Sequence, residues 1–382
     1  MNEIISSVEI FSGAGGLAKG IELAGATHEA LVEWNSDACK TLRLNYSQEL
    51  VYETDIRSFD FSNFDNIDVL AGGPPCQPFS LGGKAKGNND ERDMFPSAIA
   101  AIRKLKPKTF IFENVKGLLR ESFKDYFNYI LLQLRFPELL NNTGDWREHY
   151  KTLLSFSKKQ CSIGLQYNVQ FQLINAADYG IPQKRERVII VGIRTDISTD
   201  WSFPKETHSL DALLWDKYVT KNYWKRHNIE MPTRDKEIID NECNKLIKKY
   251  GMFEPNCLPW KTIRDVISNM PLPYTDTNCN SEHIIRKGAK EYPGHTGSEI
   301  DMPAKTIKAG GHGVPGGENM VKFSDGSVRY FTTLEAKRIQ TFPDDYPISG
   351  SWTEAMRQLG NAVPVQLSYI IASSLFRSLF KA

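Results

Sequence analysis

The sequence predicts an α/β protein built on a doubly wound parallel sheet, with a smaller irregular domain attached, and three observations carry that prediction. Val8-Glu9-Ile10-Phe11 reads as a strand that runs directly into Ser12-Gly13-Ala14-Gly15-Gly16, after which Leu17, Gly20, Ile21 and Leu23-Ala24 recur at helical spacing up to Gly25. A second apolar run, Ile67–Ala71, ends in a loop of two glycines and three prolines, Gly72-Gly73-Pro74-Pro75-Cys76-Gln77-Pro78-Phe79-Ser80. From about Arg194 the alternation of strand and helix breaks down, and residues 201–300 carry scattered tryptophans and prolines instead.

Size and composition set the bounds. The 382 residues, 41% of them hydrophobic, can bury a substantial core, and the length favours two domains. Lys plus Arg (47) nearly balance Asp plus Glu (46), so a nucleic-acid surface would need local segregation of charge. Six cysteines, at 39, 76, 161, 243, 257 and 279, form no CxxC pair and match no zinc spacing, which predicts reduced thiols and no metal centre. The amino terminus reads without a basic and apolar leader, and no apolar run approaches membrane-spanning length; the expectation is a cytoplasmic chain without a membrane.

The glycine loop asks for a ligand against backbone at a helix N-terminus. Gly13-x-Gly15-x-x-Ala18, with Glu33 twenty residues past Gly13, satisfies the dinucleotide fingerprint, so a nicotinamide enzyme competes; any adenosine cofactor meets the same demands, with Glu33 accepting from ribose hydroxyls. Glu33 ends the strand Ala30-Leu31-Val32. Trp34 beside it is either a face for a purine or a packed interface residue. A helix through Ala38, Leu42 and Leu44 to Tyr46 follows, then a short strand Leu50-Val51-Tyr52 and Asp55-Ile56, where an aspartate could equally serve a turn or a cap.

Cys76 stands at the carboxyl end of its strand, where open α/β sheets place ligands. It is either a small core hydrophobe or a nucleophile, and the flanking prolines favour the second, because an attacking thiolate must be held closely in place. The polar, glycine-rich stretch 82–93 suggests a lid beside it. Phe95–Leu105 reads as a helix and Thr109-Phe110-Ile111-Phe112 as a strand ending in Glu113-Asn114-Val115. Glu113 then either reaches the crevice of Cys76 or caps a following helix, a task Asn114 could take instead.

Residues 136–165 read as a surface insertion, and Tyr167–Ile174 resumes as a strand. Gln183-Lys184-Arg185-Glu186-Arg187 precedes the apolar strand Val188–Ile193, and strand alternation would put Arg185 and Arg187 on one face. Such a pair suits a phosphate and a base carbonyl, or a solvated edge. Further on, Lys221-Asn222-Tyr223-Trp224-Lys225-Arg226-His227 interleaves cations with aromatics, as nucleic-acid surfaces and charged helix faces both do. Thr333–Gln340 reads as a helix capped by Thr332 or Thr333. Gly360-Asn361-Ala362-Val363-Pro364-Val365 opens a last helix, Gln366–Phe380, whose apolar spacing packs it on the core.

Taken together these blocks resemble the DNA (cytosine-5) methyltransferase family. Phe11-Ser12-Gly13-Ala14-Gly15-Gly16 resembles its cofactor loop, Glu33-Trp34 its ribose and adenine motif, and Asp55-Ile56 the motif that reads the adenine amino group. Pro75-Cys76-Gln77 resembles the nucleophile motif, Glu113-Asn114-Val115 the acid motif, Gln183-x-Arg185-x-Arg187 the arginine motif and Gly360-Asn361-Ala362-Val363 the returning cofactor motif. Seven blocks in order span nearly the whole chain.

The resemblance implies a Rossmann-like sheet dependent on S-adenosylmethionine (SAM), formed by 1–195 with 329–382, and a target-recognition domain over 196–328. It implies cofactor contacts from Phe11, Gly13, Ala14, Gly15, Gly16, Glu33, Trp34, Asp55, Ile56, Pro75, Asn361 and Val363. Catalysis would fall to Cys76, Glu113, Arg185 and Arg187: Cys76 adding to carbon 6 of a flipped-out cytosine, Glu113 acting at N3, Arg187 holding the base carbonyl and orienting Glu113, and Arg185 lying nearer the backbone. The implied partners are duplex DNA with a short specific site and a restriction endonuclease acting on that site, for a monomeric methyltransferase of a restriction-modification system. A tRNA cytosine methyltransferase is the alternative within the family, a nicotinamide oxidoreductase or a catalytically silent DNA-binding regulator the alternatives outside it.

Overall fold

The structure, a computed structural model, describes residues 4–75, 93–142, 144–159, 164–276, 281–309 and 317–380. The chain packs as two compact units, the first made of Met1–Ile174, Glu186–Phe203 and Ser368–Ala382, the second of Asn175–Arg185 and Pro204–Leu367.

The first unit is built on a seven-stranded sheet with strands in the order β3-β2-β1-β4-β5-β7-β6. These are β1 (Ile5–Ile10), β2 (Ala26–Glu33), β3 (Val51–Glu53), β4 (Val69–Gly72), β5 (Thr109–Val115), β6 (Tyr167–Asn175) and β7 (Glu186–Arg194). The first five pair parallel to one another, and β7 joins β5 antiparallel. The chain leaves β1 towards β2 and β3 and then returns to β4 on the other side, so the order reverses between β1 and β4. That reversal opens the crevice in which doubly wound sheets bind ligands.

Alternation along β2 shows how the two faces are covered. Ala30 and Val32 join the large core that α3 (Phe95–Leu105), α4 (Lys124–Arg135) and α5 (Trp146–Lys158) close, whereas Leu31 packs with Ala18 of α1 (Gly16–Leu23) and Cys39 and Leu42 of α2 (Ser36–Asn45). The fully buried Phe110, Phe112, Val188 and Ile190 bring β5 and β7 into the large core; burying each such side chain is worth about 1.5–3 kcal/mol. On the α1 side, Ser368 of α12 (Val365–Leu379) donates its hydroxyl to the Leu17 carbonyl at 2.8 Å. By length and composition Trp352–Leu379 would pass for a membrane span, but 67% of its apolar 18-residue window is buried inside the protein.

Two sequence readings change here and one open alternative closes. The insertion contains α5, whose Leu153, Phe156 and Trp146 pack into the core, so much of 136–165 is structural. Its helical period was masked by charged and hydroxyl residues on the outer face. Glu113 and Asn114 lie within β5 rather than at a helix cap, because pairing with β7 extends the strand to Val115. Gly360 and Asn361 end a helix, α11 (Trp352–Asn361), instead of opening the last one.

The second unit has little sheet. β8 (His208–Ser209) pairs with β9 (Leu258–Pro259), and β10 (Ser298–Glu299), β11 (Met320–Lys322) and β12 (Val328–Tyr330) form a small second sheet. Helices α6 (Leu210–Leu214), α7 (Asn222–Arg226), α8 (Thr233–Tyr250), α9 (Ile263–Ile267) and α10 (Thr333–Ile339) supply the rest with α11. Thr332 caps α10 in a reciprocal pair with Glu335. The basic and aromatic cluster at 221–227 is half core: Tyr223 and Trp224 are buried with Leu213 and Trp260, while Arg226 bonds Asp216 and His227 bonds Asp265. Its aromatics are therefore taken up by packing and do not form a stacking surface.

How closely the central strands approach one another is set at Gly72. Ile10, Gly72 and Phe112 pair side by side across β1, β4 and β5, and a Cβ on Gly72 would stand 2.4 Å from the Ile10 carbonyl oxygen. Gly72→Ala must therefore spread β1 from β4, and we expect a loss of about 1–3 kcal/mol, read as a lower denaturant midpoint with unchanged slope.

Candidate active site

Along the carboxyl edge of the sheet, strand order becomes an order of candidate site residues. Asp55 follows β3, Glu33 ends β2 with Trp34 after it, Phe11 to Gly16 follow β1, Gly73 to Pro75 follow β4, and Glu113 lies on β5 one residue past Phe112. Adjacent parallel strands thus bring together, within one unit, residues up to about a hundred positions apart in sequence.

The loop after β1 is tightly wound. Phe11, Gly13 and Gly15 have φ of 57°, 54° and 81°, and only the glycines occupy that region without strain. Ala14 is buried, and Gly16 begins α1. The carboxylate of Glu33 is held by backbone: Gly13 N–H donates to Oε2 at 2.8 Å, and the Trp34 and Asn35 N–H groups donate to Oε1 at 3.0 and 2.8 Å. The loop and the acid expected to grip a ribose therefore fix each other. Trp34 is 75% exposed, so its indole is not an interface residue of this unit. Asp55 caps the short turn Ile56–Ser58 and pairs with Arg57, which holds its carboxyl below the usual range, while Ile56 is buried beside it.

Glu9 was not singled out in the sequence, although an acid inside the apolar run Val8-Glu9-Ile10 is a visible anomaly. It is 1% exposed, and its carboxyl pKa is raised well above the ordinary value by burial, against a hydrogen bond from the Ala18 N–H of α1 and with a further push from Glu33. Its Oε2 has no hydrogen-bond partner among the described residues. A buried, orphaned acceptor beneath the glycine loop suits a cationic ligand group.

Cys76 lies outside the described residues, as does the expected lid apart from Asp93. The chain leading to it is described. Pro74 is buried, its carbonyl accepts from Asn114 Nδ2 at 2.9 Å, and the Pro75 carbonyl accepts from the Met94 N–H at 3.0 Å. By contrast the buried Cys39 thiol is pushed up to about 12, chiefly by burial and then by Glu33, which leaves it no thiolate. Glu113 is 8% exposed, and its Oε1 pairs with Arg187 Nε of β7 at 2.7 Å. A Cβ on Gly73 would stand 3.6 Å from Glu113 Oε2, so the acid lies beside the strand that leads into Pro75 and Cys76.

Arg185 does not share this arrangement. β7 begins at Glu186, so strand alternation does not reach it, and its buried guanidinium donates to the Gly360 carbonyl at 2.9 Å within the second unit. There Gln183 Nε2 donates to Gln340 Oε1 at 3.2 Å, and Gln340 donates to the Leu359 carbonyl. Gln340, fully buried and unforeseen in the sequence, ties the Gln183–Arg185 segment to the turn that holds Asn361, exposed, and Val363, buried.

The model of the C-5 cytosine-specific DNA methylases matches residues 5–138 and 139–377. The chain belongs to this family. The Type II methyltransferase M.NgoMIV of Neisseria gonorrhoeae is 30% identical over 384 residues, covering 98% of each chain. M.PspPI of a Psychrobacter strain, also a Type II methyltransferase, is 32% identical over 98% of this chain and 79% of its own. The crystal structure of the Dnmt2 methyltransferase of S. pombe shares the fold, with a TM-score of 0.58 at 18% identity over 98% of both chains. The protein is thus a DNA (cytosine-5) methyltransferase with a Rossmann-like sheet, a family whose methyl donor is S-adenosylmethionine. The tRNA alternative does not fit these matches and falls away, as does the oxidoreductase reading of the glycine loop.

Glu9 carries a pH dependence with a definite sign. Folding raises its pKa, so its contribution is most favourable below the ordinary value of 4.5 and is lost as pH climbs from there towards the raised folded value. Glu9→Gln, neutral throughout, should flatten that part of the stability curve of the ligand-free protein, checked by Tm from about pH 5 to about pH 8.

Proposed function

We propose that this methyltransferase modifies one cytosine within a short specific site in duplex DNA, as part of a Type II restriction-modification system, using Cys76 as nucleophile and Glu113 with Arg187 as its electrostatic partners. The observation that carries the reading is the Glu113–Arg187 pair at 2.7 Å, set beside the strand that delivers Pro75 and Cys76. The relatives are named Type II methyltransferases, which supports the restriction-modification setting; a cytoplasmic chain and a cognate endonuclease belong to the same proposal.

The residues present fit the cofactor. Phe11, Gly13, Ala14, Gly15 and Gly16 would line it at the α1 N-terminus, Glu33 would accept from its ribose, Trp34 and Ile56 would flank its adenine, and Asp55 would accept from the adenine amino group. Pro75 would complete its surroundings within the first unit, and the orphaned Glu9 oxygen would answer its positive charge. When bound, S-adenosylmethionine supplies an electrophilic methyl group.

Carbon 5 of cytosine is too weak a nucleophile to take that methyl unaided. The Cys76 thiolate adds to carbon 6, placing electron density on carbon 5, while Glu113 holds the proton at N3 as charge develops there. Arg187, whose Nε lies 2.7 Å from Glu113 Oε1, would hold that carboxyl by charge and offer its remaining donors to the base carbonyl. Loss of the carbon 5 proton then expels Cys76. The base must leave the duplex for this chemistry, at a cost of a few kcal/mol of stacking and pairing. Arg185, buried against the Gly360 carbonyl, acts by positioning the Asn361 turn. Residues 196–328, lying largely in the second unit, would read the site as a target-recognition domain in a monomeric enzyme.

Incubation with labelled S-adenosylmethionine and mixed-sequence duplex DNA, followed by single-base mapping of 5-methylcytosine, tests the reading. Label should recur in one short sequence. Cys76→Ser should abolish transfer while retaining cofactor binding, and Glu113→Gln should lower kcat on the order of 100-fold or more. Full activity in Cys76→Ser would overturn the mechanism.

A further inference from the structure

The chain on either side of 76–92 is anchored by a feature outside the motifs. Asp93 accepts from the Phe95 N–H in the first turn of α3 at 3.1 Å and from the Tyr126 hydroxyl of α4. Met94, between Asp93 and Phe95, donates its N–H to the Pro75 carbonyl at 3.0 Å. One carboxylate thus ties α4 to the start of α3 at the point where Met94 grips the residue before Cys76.

Tyr126 is itself backed by the insertion. It is 7% exposed, and its ring meets Trp146 of α5 edge to face at 5.3 Å and Tyr129 at 5.8 Å. Trp146 in turn carries Arg147 over its indole at 4.8 Å. The ring packing fixes where the Tyr126 hydroxyl lies, and the hydroxyl fixes Asp93.

We propose that Tyr126 is a positioning residue for methyl transfer: through Asp93 it sets Met94, and through Met94 the Pro75 carbonyl from which the nucleophile departs. The proposal rests on Cys76 being the nucleophile. It gives α5 of the 136–165 insertion a role in the chemistry, since Trp146 holds the ring that holds the anchor. A displacement of about 1 Å at an attacking atom can cost on the order of 100-fold in rate, so loss of one hydroxyl far from the base should be visible in kcat.

The test compares the full chain with Tyr126→Phe, Asp93→Ala and the double variant, with a duplex in which 5-fluorocytosine replaces the target base. Fluorine at carbon 5 cannot leave as a proton does, so Cys76 stays bound after methyl transfer and the trapped adduct measures the chemical step. Tyr126→Phe should slow adduct formation and kcat by roughly 10-fold to 100-fold, with the KM for S-adenosylmethionine within about twofold and Tm little changed. Asp93→Ala should do the same, and the double variant should be no slower than the slower single one. Wild-type rates in Tyr126→Phe, additive losses in the double variant, or losses that follow Tm would overturn the proposal. Absence of any Cys76 adduct in the unaltered protein would instead sink the nucleophile reading, and the proposal with it.

Discussion

Everything at the site depends on three strands held in one register. Ile10, Gly72 and Phe112 are paired in register, and the close contact between the Gly72 backbone and the Ile10 carbonyl leaves no room for a side chain. Because parallel strands in register release their chains on the same edge, the cofactor loop, the segment leading to Cys76 and the acid of β5 emerge side by side. A shift of one residue in any of these pairings would turn side chains to the opposite face. The antiparallel entry of β7 adds what a purely parallel sheet could not, since it sets Arg187 across from Val115 and within 2.7 Å of Glu113.

Buried charge is treated in two ways around this edge. Glu33 has lone pairs to spare but is tied down by three backbone N–H groups, and Glu113 has a guanidinium at hand. Glu9 has one backbone donor and an empty oxygen, and its raised pKa marks the cost of keeping it so. A fold that carries such a cost without a structural return is consistent with a group reserved for a ligand. Arg185 is the opposite case. One of its N–H groups goes to the Gly360 carbonyl inside the second unit, where it stiffens a turn.

The sequence was most legible where period and punctuation agree. Phe95–Leu105 was readable to the residue, and Thr332 could be named as one of two caps, because a helix edge has local chemical markers. The α5 helix was not, since Trp146, Leu153 and Phe156 are spaced among charges and hydroxyls that dilute the period, and the core they join is supplied by distant strands. The cluster 221–227 stayed open between a nucleic-acid surface and a charged helix face because composition cannot say which side of a short helix is inside; Tyr223 and Trp224 pack with Leu213 and Trp260.

Order and spacing alone determined that the chain carries a strand, a glycine loop, a helix and a paired acid at Glu33, and that seven family blocks follow in sequence. Those are local facts, written by residues next to one another. Only the tertiary structure decided that Glu113 pairs within a strand instead of capping a helix, that Arg187 stands 2.7 Å from it, that one Glu9 oxygen lies orphaned under the loop and that Tyr126 reaches Asp93. Each of these joins residues brought together by the sheet or by helix packing. Their chemistry was visible one residue at a time, whereas their distances arise only when the core closes.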